Sequence, residues 1–138
     1  MKLALYLPNF RDEVTVAELE DLTNTAEELE FDSVWTLDRI VVPDASDRQE
    51  LQFPFGMMEQ FPKQLPVSAR GKWLHGMPLI PWLAAKTKKV RIGMSIIDTP
   101  YRAPGVLAGE IATVDQLSGG RVNVGIGSGW MPEEFAAA

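Results

Sequence analysis

The segment Leu117–Trp130, with the sequence LSGGRVNVGIGSGW, is the part of the chain that is most informative about its fold. Its Gly119-Gly120 pair is typical of a helix end, because glycine readily adopts the left-handed conformation that terminates a helix. The valine-rich alternation of Arg121–Ile126 predicts a strand that is covered by helices. Gly127-Ser128-Gly129 predicts that the end of this strand is free of bulky side chains. In parallel α/β folds, ligands bind at that end.

Composition and charge restrict the class of protein. The chain has 138 residues, of which 46% are hydrophobic, and this is enough for one domain with a sizeable core. A net charge of −6 argues against nucleic acid or an anionic membrane surface as the main partner. No apolar run reaches the roughly 18 residues that cross a bilayer. The absence of cysteine excludes disulfides and thiolate metal sites. We therefore expect a cytoplasmic α/β protein.

The rest of the pattern alternates between strands and helices. Short apolar runs predict strands at Lys2–Leu7, Phe31–Leu37 and Val90–Ile97. Helices are predicted after the capping-box sequence Thr15–Glu18, over Leu79–Lys88 and over Pro104–Leu117. The predicted inward face of the first helix comprises Leu19, Leu22, Ala26 and Leu29. The order βαβ-loop-αβαβ predicts a parallel sheet with right-handed crossovers.

The connection from Asp38 to Met77 is the irregular part of the chain. Its prolines and glycines exclude a long regular element, whereas its phenylalanine and methionine side chains argue against plain disorder. A connection of this length in a compact domain is usually a lid, a binding loop or a disordered segment. We expect a partly ordered lid over residues 38–77, with a contact between copies of the chain as the alternative.

Several motifs together resemble the bacterial-luciferase-like oxidoreductases. They are Phe31-Asp32-Ser33-Val34-Trp35 followed by Asp38, then Val90–Ser95, Leu117–Arg121 and Gly125–Trp130. The resemblance implies an eight-stranded (β/α) barrel of the TIM type that uses FMN or a deazaflavin coenzyme. Residues 1–138 would correspond to strands one to four of that barrel, with 38–77 as an insertion after strand two.

The chain departs from the family pattern at three positions. Glu30 stands where the family usually has glycine, and Ala103 stands where many members have histidine or asparagine. Asp38-Arg39 replaces the usual Asp-His pair. Because the missing histidine is the usual proton donor or base, its loss weakens an alcohol-dehydrogenase function more than a monooxygenase function.

Half a barrel would have two physical deficits. Its two edge strands would expose rows of unpaired backbone groups. It would also lack the loops after strands seven and eight, which commonly hold a phosphate group in barrels of this type. The glycines at 125, 127 and 129 do not have the spacing of a dinucleotide-binding loop. We therefore expect a homo-oligomer, a complementing half-barrel, or a sequence that is a truncated part of a longer barrel.

Cofactor-binding residues are expected where strands end. The resemblance implies that Ser95-Ile96 forms a cis non-proline peptide bond and a bulge against a flavin ring, with an ordinary trans bond as the alternative. The segment 127–129 would bring its backbone, and one hydroxyl group, close to a planar ring, or it would serve only the turn into the next helix. The candidate cofactor-binding residues are Asn9, Ser95, Ile96, Gly127, Ser128 and Gly129. Asn9 could instead cap a turn.

Asp38 and Arg39 are the candidate catalytic residues. Arginine does not exchange protons near neutral pH, so Arg39 could only bind an anion or orient a substrate. Asp38 could hydrogen-bond to a ring or accept a proton. Alternatively, the two could form a surface ion pair that contributes little. His75 is the only histidine; it could act as an acid or base from the loop, or it could simply be solvated. We expect no metal, because no acidic or histidine cluster has ligand spacing.

The function expected from the resemblance is that of a flavin-dependent monooxygenase or oxidoreductase. Reduced FMN would activate oxygen for attack on a small organic substrate. One alternative is hydride transfer with a deazaflavin coenzyme. The other is a non-catalytic half-barrel that acts only in assembly. The sequence does not identify the substrate.

Overall fold

The structure is a computed structural model that describes residues 1–42 and 71–138. Within these ranges the elements are β1 (Ala4–Tyr6), α1 (Val16–Glu28), β2 (Ser33–Thr36), α2 (Gly76–Lys86), β3 (Arg91–Asp98), α3 (Pro104–Ser118), β4 (Val122–Gly127) and α4 (Pro132–Ala137). A 3₁₀ turn, Thr99–Tyr101, follows β3. The predicted order of strands and helices is confirmed. Most of the predicted lid over 38–77 lies outside the described residues.

The four strands form one parallel sheet in the order β1-β2-β3-β4. Tyr6 is in register with Trp35, Trp35 with Gly93, and Gly93 with Asn123. Because every described strand runs in the same direction, all four carboxyl ends meet at one edge of the sheet. We call this edge the mouth. The predicted parallel sheet is confirmed.

The ladder between β3 and β4 contains an irregularity. The register shifts between Met94 and Ile97, and the peptide bond Ser95-Ile96 within this shift is cis. The cis bond expected from the resemblance is therefore present. Ile97 pairs with Ile126 beyond the shift, and Asp98 pairs with Gly127 at the mouth.

The core lies on the face of the sheet that α1, α2 and α3 cover. Val34 and Ile92 of the sheet are fully buried there against Leu19 and Leu83 of the helices. Leu29, which we predicted on the inward face of α1, is 66% exposed. That prediction is wrong because α1 ends at Glu28, so Leu29 is its C-cap and no longer continues the helical face.

Local signals set the helix ends. The hydroxyl oxygen of Thr15 accepts a hydrogen bond from the backbone N–H of Glu18 at 3.1 Å, as an N-cap does. The Glu18 carboxylate pairs with Arg11. Gly119, with φ +75°, is the C-cap of α3 in the left-handed conformation, as predicted.

Of the described helices, none has the length and apolar character needed to cross a membrane.

Glu27 ties the end of α1 to the start of β3. Its carboxylate accepts hydrogen bonds from the backbone N–H groups of Lys88 (2.7 Å), Lys89 and Val90 (3.1 Å). Burial raises the pKa of Glu27, but the three amides and the nearby Arg121 outweigh it, and the net pKa is below the ordinary value. Glu27 therefore fixes the segment that leads into β3.

Candidate functional site

Charged side chains from three segments meet at the mouth. Asp38 and Arg39 follow β2, Asp98 ends β3, Arg102 follows the 3₁₀ turn, and Glu134 lies in α4 after β4. Asp38, Asp98 and Glu134 are buried, with relative exposures of 3%, 5% and 0%. We call these five residues the mouth cluster.

Asp38 is paired with Arg102 and not with Arg39. Arg102 Nη1 lies 2.6 Å from Asp38 Oδ2, and Arg102 Nη2 donates to Asp38 Oδ1 at 2.8 Å. A carboxylate held by both nitrogens of one guanidinium has a fixed position and geometry. The alternative of a surface pair between Asp38 and Arg39 is wrong. The pair is buried, and the fold supplies its cation from a residue 64 positions away.

Arg39 is held by Glu134. Arg39 Nη1 donates to Glu134 Oε2 at 2.6 Å, and the backbone N–H of Ile40 donates to Glu134 Oε1 at 3.0 Å. The guanidinium carbon of Arg39 also lies 5.0 Å from the centroid of the Trp130 ring. Glu134 was not predicted from the sequence as a site residue. An acidic residue in the first turn of a helix is ordinary, and nothing local distinguishes this one.

Asp98 is the third carboxylate of the mouth cluster. Its Oδ1 atom is buried and has no hydrogen-bond partner among the described residues. Burial raises the pKa of Asp98, and Glu134 and Asp38 raise it further; Arg39 and the backbone N–H of Gly129 act in the opposite direction. Asp98 was not predicted from the sequence either. Its only signal was a charged residue at the end of an apolar strand.

Gly127 and Gly129 are packed against protein groups. A Cβ atom added at Gly127 would lie 1.9 Å from Ile96 Cδ1 and 3.3 Å from Asp98 Oδ1. A Cβ atom added at Gly129, where φ is +71°, would lie 2.3 Å from the hydroxyl oxygen of Tyr101. Gly129 therefore suits its left-handed backbone conformation, whereas at Gly127 a larger residue would require the Ile96 side chain to move. Contact of 127–129 with a cofactor, including the exposed Ser128, stays a prediction.

Ile96 belongs to the sheet face opposite the helices. On this face Tyr6 and Ile96 are 50% and 41% exposed, and Trp35 lies against Gly93, where an added Cβ atom would be 2.5 Å from its ring. Glycines at 125 and 127 leave the part of β4 nearest the mouth without side chains on the same face. We call this surface, formed by Tyr6, Trp35, Gly93, Ile96, Gly125 and Gly127, the open face. Beside it, Ser95 is partly exposed.

Asn9 links three segments. Its Nδ2 atom donates to the carbonyl oxygens of Leu37 and Leu74, both at 2.9 Å, and its Oδ1 atom accepts from the N–H of Leu37 at 2.8 Å. The side chain is only 1% exposed. Both amide hydrogens are thus used to join the end of β1 to the end of β2 and the start of α2. A role of Asn9 in ligand binding stays a prediction.

His75 lies beside the mouth cluster at the N-cap of α2. Its Nδ1 atom is 4.0 Å from Asp38 Oδ1, and its ring centroid is 5.8 Å from that of Trp73. Burial lowers the pKa of His75, Arg102 lowers it too, and Asp38 opposes them. His75 and Arg102 line an open cavity of about 440 Å³ together with Glu110 and apolar side chains.

Among the residues that the structure describes, no group of three or more acidic or histidine side chains could hold a metal ion.

Comparison with known proteins gives a consistent result. The family model for luciferase-like monooxygenases matches residues 1–138. The chain is 40% identical over 55 residues to the FMNH(2)-dependent dimethylsulfone monooxygenase of Pseudomonas putida, which covers 40% of this chain and 15% of that protein. It is 38% identical over 74 residues to the F420-dependent glucose-6-phosphate dehydrogenase of Amycolatopsis mediterranei. That match covers 48% of this chain and 22% of the dehydrogenase.

The fold is also found in a solved structure. The oxygenating constituent of 3,6-diketocamphane monooxygenase from Pseudomonas putida, a type II Baeyer–Villiger monooxygenase in complex with FMN, superposes with a TM-score of 0.64 at 20% identity. The match covers 99% of this chain and 32% of that one. The chain therefore has the fold of part of a TIM-type barrel, with four parallel strands that do not close a barrel. It spans about a third of the solved chain and less of the sequence relatives.

Proposed function

We propose that this chain, which belongs to the luciferase-like monooxygenase family over residues 1–138, forms one wall of a flavin site in an oxidoreductase. The reaction that we propose is activation of oxygen by reduced FMN for attack on a small organic substrate. Two relatives support FMN: one is named as an FMNH(2)-dependent monooxygenase, and one was solved with FMN.

The observation that carries this proposal is the position of Ile96 on the open face. Its side chain lies against Gly127 at the mouth and is still 41% exposed. The glycines of β4 keep that strand from projecting beside it. A flat apolar surface at the carboxyl ends of parallel strands suits the packing of a planar aromatic ring, because ring and side chain both lose apolar contact with water.

The described residues fit the ring of a flavin better than its phosphate. Ile96 offers an apolar surface, and its sequence neighbour Ser95 and the exposed Ser128, which follows β4, carry hydroxyl groups. A phosphate group needs available cations or backbone N–H groups. Within the described part of the mouth, Arg39 and Arg102 are each engaged by a buried carboxylate. We therefore propose that a second copy of this chain supplies the phosphate contacts.

The residues of the mouth would position and shield the cofactor. A bound flavin supplies the electron-transfer chemistry. Arg39, which Glu134 holds in place, can stabilise negative charge but cannot exchange a proton near neutral pH. Asp38 is fixed by Arg102, so we assign it the role of positioning that guanidinium beside the His75 cavity. Tyr6 and Ile96 exclude water from the face on which the ring would pack.

A second candidate function is hydride transfer with a deazaflavin coenzyme. Its support is the relative named as an F420-dependent dehydrogenase, which is as similar as the monooxygenases over a longer segment. The open face suits either tricyclic ring. Arg39, in place of a histidine, makes proton removal from an alcohol harder, and we therefore rank this candidate second.

The test is a fluorescence titration of the full chain with FMN and with the deazaflavin coenzyme. We expect a dissociation constant of about 1 μM for one of them. Ile96→Asp should weaken binding about tenfold or more, because it places a charge under the ring. The matched control is Ile126→Asp. Ile126 is 67% exposed on β4 and shares the side of the strand that bears Val122, opposite Gly125 and Gly127.

Two outcomes would contradict the proposal. If Ile96→Asp and Ile126→Asp weakened binding equally, the ring would not pack on the open face. If the folded wild-type chain bound neither compound, this chain alone would not form a flavin site. Binding of one compound and not the other decides between the two candidate functions.

A further inference from the structure

The mouth cluster contains more acid than base. Among the described residues it holds three carboxylates and two guanidinium groups. Arg39 is paired with Glu134 at 2.6 Å, and Arg102 is paired with Asp38 at 2.6 Å. Asp98 is the carboxylate that remains. Neither arginine can serve it without leaving another buried carboxylate uncompensated.

The described groups around Asp98 provide few hydrogen bonds or positive charges that would stabilise its carboxylate form. Arg102 donates to the backbone carbonyl oxygen of Asp98 at 3.3 Å, and not to its carboxylate. Its Oδ1 atom has no partner in the described part of the chain, and the residue is 5% exposed. The charged and titratable groups around it are Asp38 and Arg39 after β2, Tyr101 and Arg102 after β3, and Glu134 on α4. The Gly129 N–H also faces it.

An ionised carboxylate in this position is costly. Removing such a group from water requires a counter-ion or several hydrogen-bond donors, and otherwise the group binds a proton. Both guanidinium groups of the cluster are committed, so among the residues that the structure describes a proton is the compensation that remains.

Asp98 also lies next to the surface on which a ring would pack. The point where a Cβ atom of Gly127 would stand is 3.3 Å from Asp98 Oδ1 and 1.9 Å from Ile96 Cδ1. Asp98 and Ile96 are therefore neighbours across a glycine, and no side chain of residue 127 separates the carboxyl group from the open face.

We propose that Asp98 holds a proton in the folded protein and donates it to a ligand bound on the open face. The O–H bond of the carboxyl group breaks, a bond forms between that proton and an acceptor atom of the ligand, and Asp98 is left as a carboxylate. A proton from solvent restores the acid after the ligand leaves. The donation step deepens the proposed function and rests on it, whereas the proton on Asp98 does not.

The pKa of Asp98 agrees with this geometry. It is raised above the ordinary value of 3.8, first by burial and then by the neighbouring Glu134. An acid whose pKa is raised on folding stabilises the folded state most at low pH, and this stability is lost as the pH rises through the folded pKa. Asp98→Asn should therefore become more stable relative to wild type as the pH rises above 3.8.

The first experiment needs no ligand. The carboxyl carbons of aspartate in the full chain are labelled with ¹³C and titrated by NMR, and the Asp98 signal is identified by its loss in Asp98→Asn. We expect its midpoint above 3.8, and a midpoint at or below that value overturns the proposal. If Asp98→Asn does not fold, infrared spectra of the wild-type chain decide. At a pH above the ordinary pKa range of aspartate, an infrared band of a protonated carboxyl group supports the proposal, and the absence of that band overturns it.

The second experiment tests donation to the ligand. The affinity for FMN and for the deazaflavin coenzyme is measured against pH in wild type, Asp98→Asn, Asp98→Glu and the exposed control Asp21→Asn. We expect affinity in the wild type to fall several-fold across the Asp98 midpoint. This dependence should be absent in Asp98→Asn, restored at a shifted midpoint in Asp98→Glu, and unchanged in Asp21→Asn.

The two failures are distinguishable. Equal pH dependence in wild type and Asp98→Asn overturns the donation by Asp98 while flavin binding stands. Failure of the wild-type chain to bind either compound overturns the proposed function together with the donation step. The NMR midpoint then decides whether Asp98 holds a proton.

Discussion

The fully buried carboxylate of Glu134 holds the guanidinium of Arg39 at 2.6 Å across 95 positions of the sequence. With its other oxygen, Glu134 accepts the N–H of Ile40. This contact joins α4 to the segment that follows β2, across the end of β3. The position of Arg39 at the mouth therefore depends on a residue near the end of the described chain.

Glu134→Gln should destabilise the fold strongly. The change leaves Arg39 buried without its counter-ion, and breaking a buried pair in this way costs about 3 kcal/mol. The measurement is urea denaturation at neutral pH. The control is Glu28→Gln, an exposed glutamate at the end of α1, for which a change within about 0.5 kcal/mol is expected. Equal effects of the two substitutions would show that the Arg39–Glu134 contact contributes little.

A double-mutant cycle should assign the partner of Asp38. Combining Asp38→Asn with Arg102→Gln should reveal a coupling free energy of about 2 kcal/mol, because the two side chains form a buried bidentate pair. The parallel cycle with Arg39→Gln should give less than about 0.5 kcal/mol, because Arg39 is engaged elsewhere. A larger coupling with Arg39 than with Arg102 would contradict the pairing. Thermal or denaturant unfolding of the single and double variants provides both values.

Glu27 should make stability depend on pH in the acid range. Although burial raises its pKa, the amides of 88–90 lower it overall, so the folded pKa lies below the ordinary 4.5. The stabilisation by Glu27 is then complete above pH 4.5 and lost as the pH falls through the folded pKa. We expect Glu27→Gln to lack this part of the acid destabilisation. Unfolding free energies measured from neutral to acid pH test it, and the exposed Glu28→Gln should keep the wild-type profile.

Gly127→Ala should disturb the open face. Its Cβ atom would lie 1.9 Å from Ile96 Cδ1, so the Ile96 side chain must rotate; because this side chain is 41% exposed, the cost should be about 1 kcal/mol. Ile96→Ala in the same chain should recover part of the loss. The matched control is Gly109→Ala in α3, where no atom lies within 4 Å of the added Cβ atom. There alanine should stabilise the helix by about 0.8 kcal/mol. Destabilisation by Gly127→Ala that Ile96→Ala does not relieve would contradict the assigned contact.

Much of the fold could be predicted because its signals are local. The alternation of 121–126 predicted β4, and the hydroxyl at Thr15 and the glycine at 119 predicted helix ends that the structure contains. Leu29 was predicted wrongly for an equally local reason. Helical periodicity alone does not show that the helix ends at Glu28, one residue before Leu29. It also does not show that Glu30 then turns the chain with a positive φ of 58°.

The candidate site was predicted only in part. Asp38 and Arg39 do lie at the mouth, but their partners, Arg102 and Glu134, were not identified, and neither was Asp98. In sequence these residues are unremarkable: an arginine after a turn, an acid in a first helical turn and an acid at a strand end. Their importance comes from burial, which makes each unpaired charge costly.

The order of strands and helices and the direction of the strands followed from local patterns, because periodicity, caps and turns involve residues a few positions apart. The family followed from the resemblance of the motifs. Which charges meet at the mouth became visible only in the folded chain. Coulomb energy depends on distance in space and on burial, so a carboxylate selects the guanidinium that the fold brings within about 3 Å, whatever their separation along the chain. That selection left Asp98 as the carboxylate without a cation in the mouth cluster.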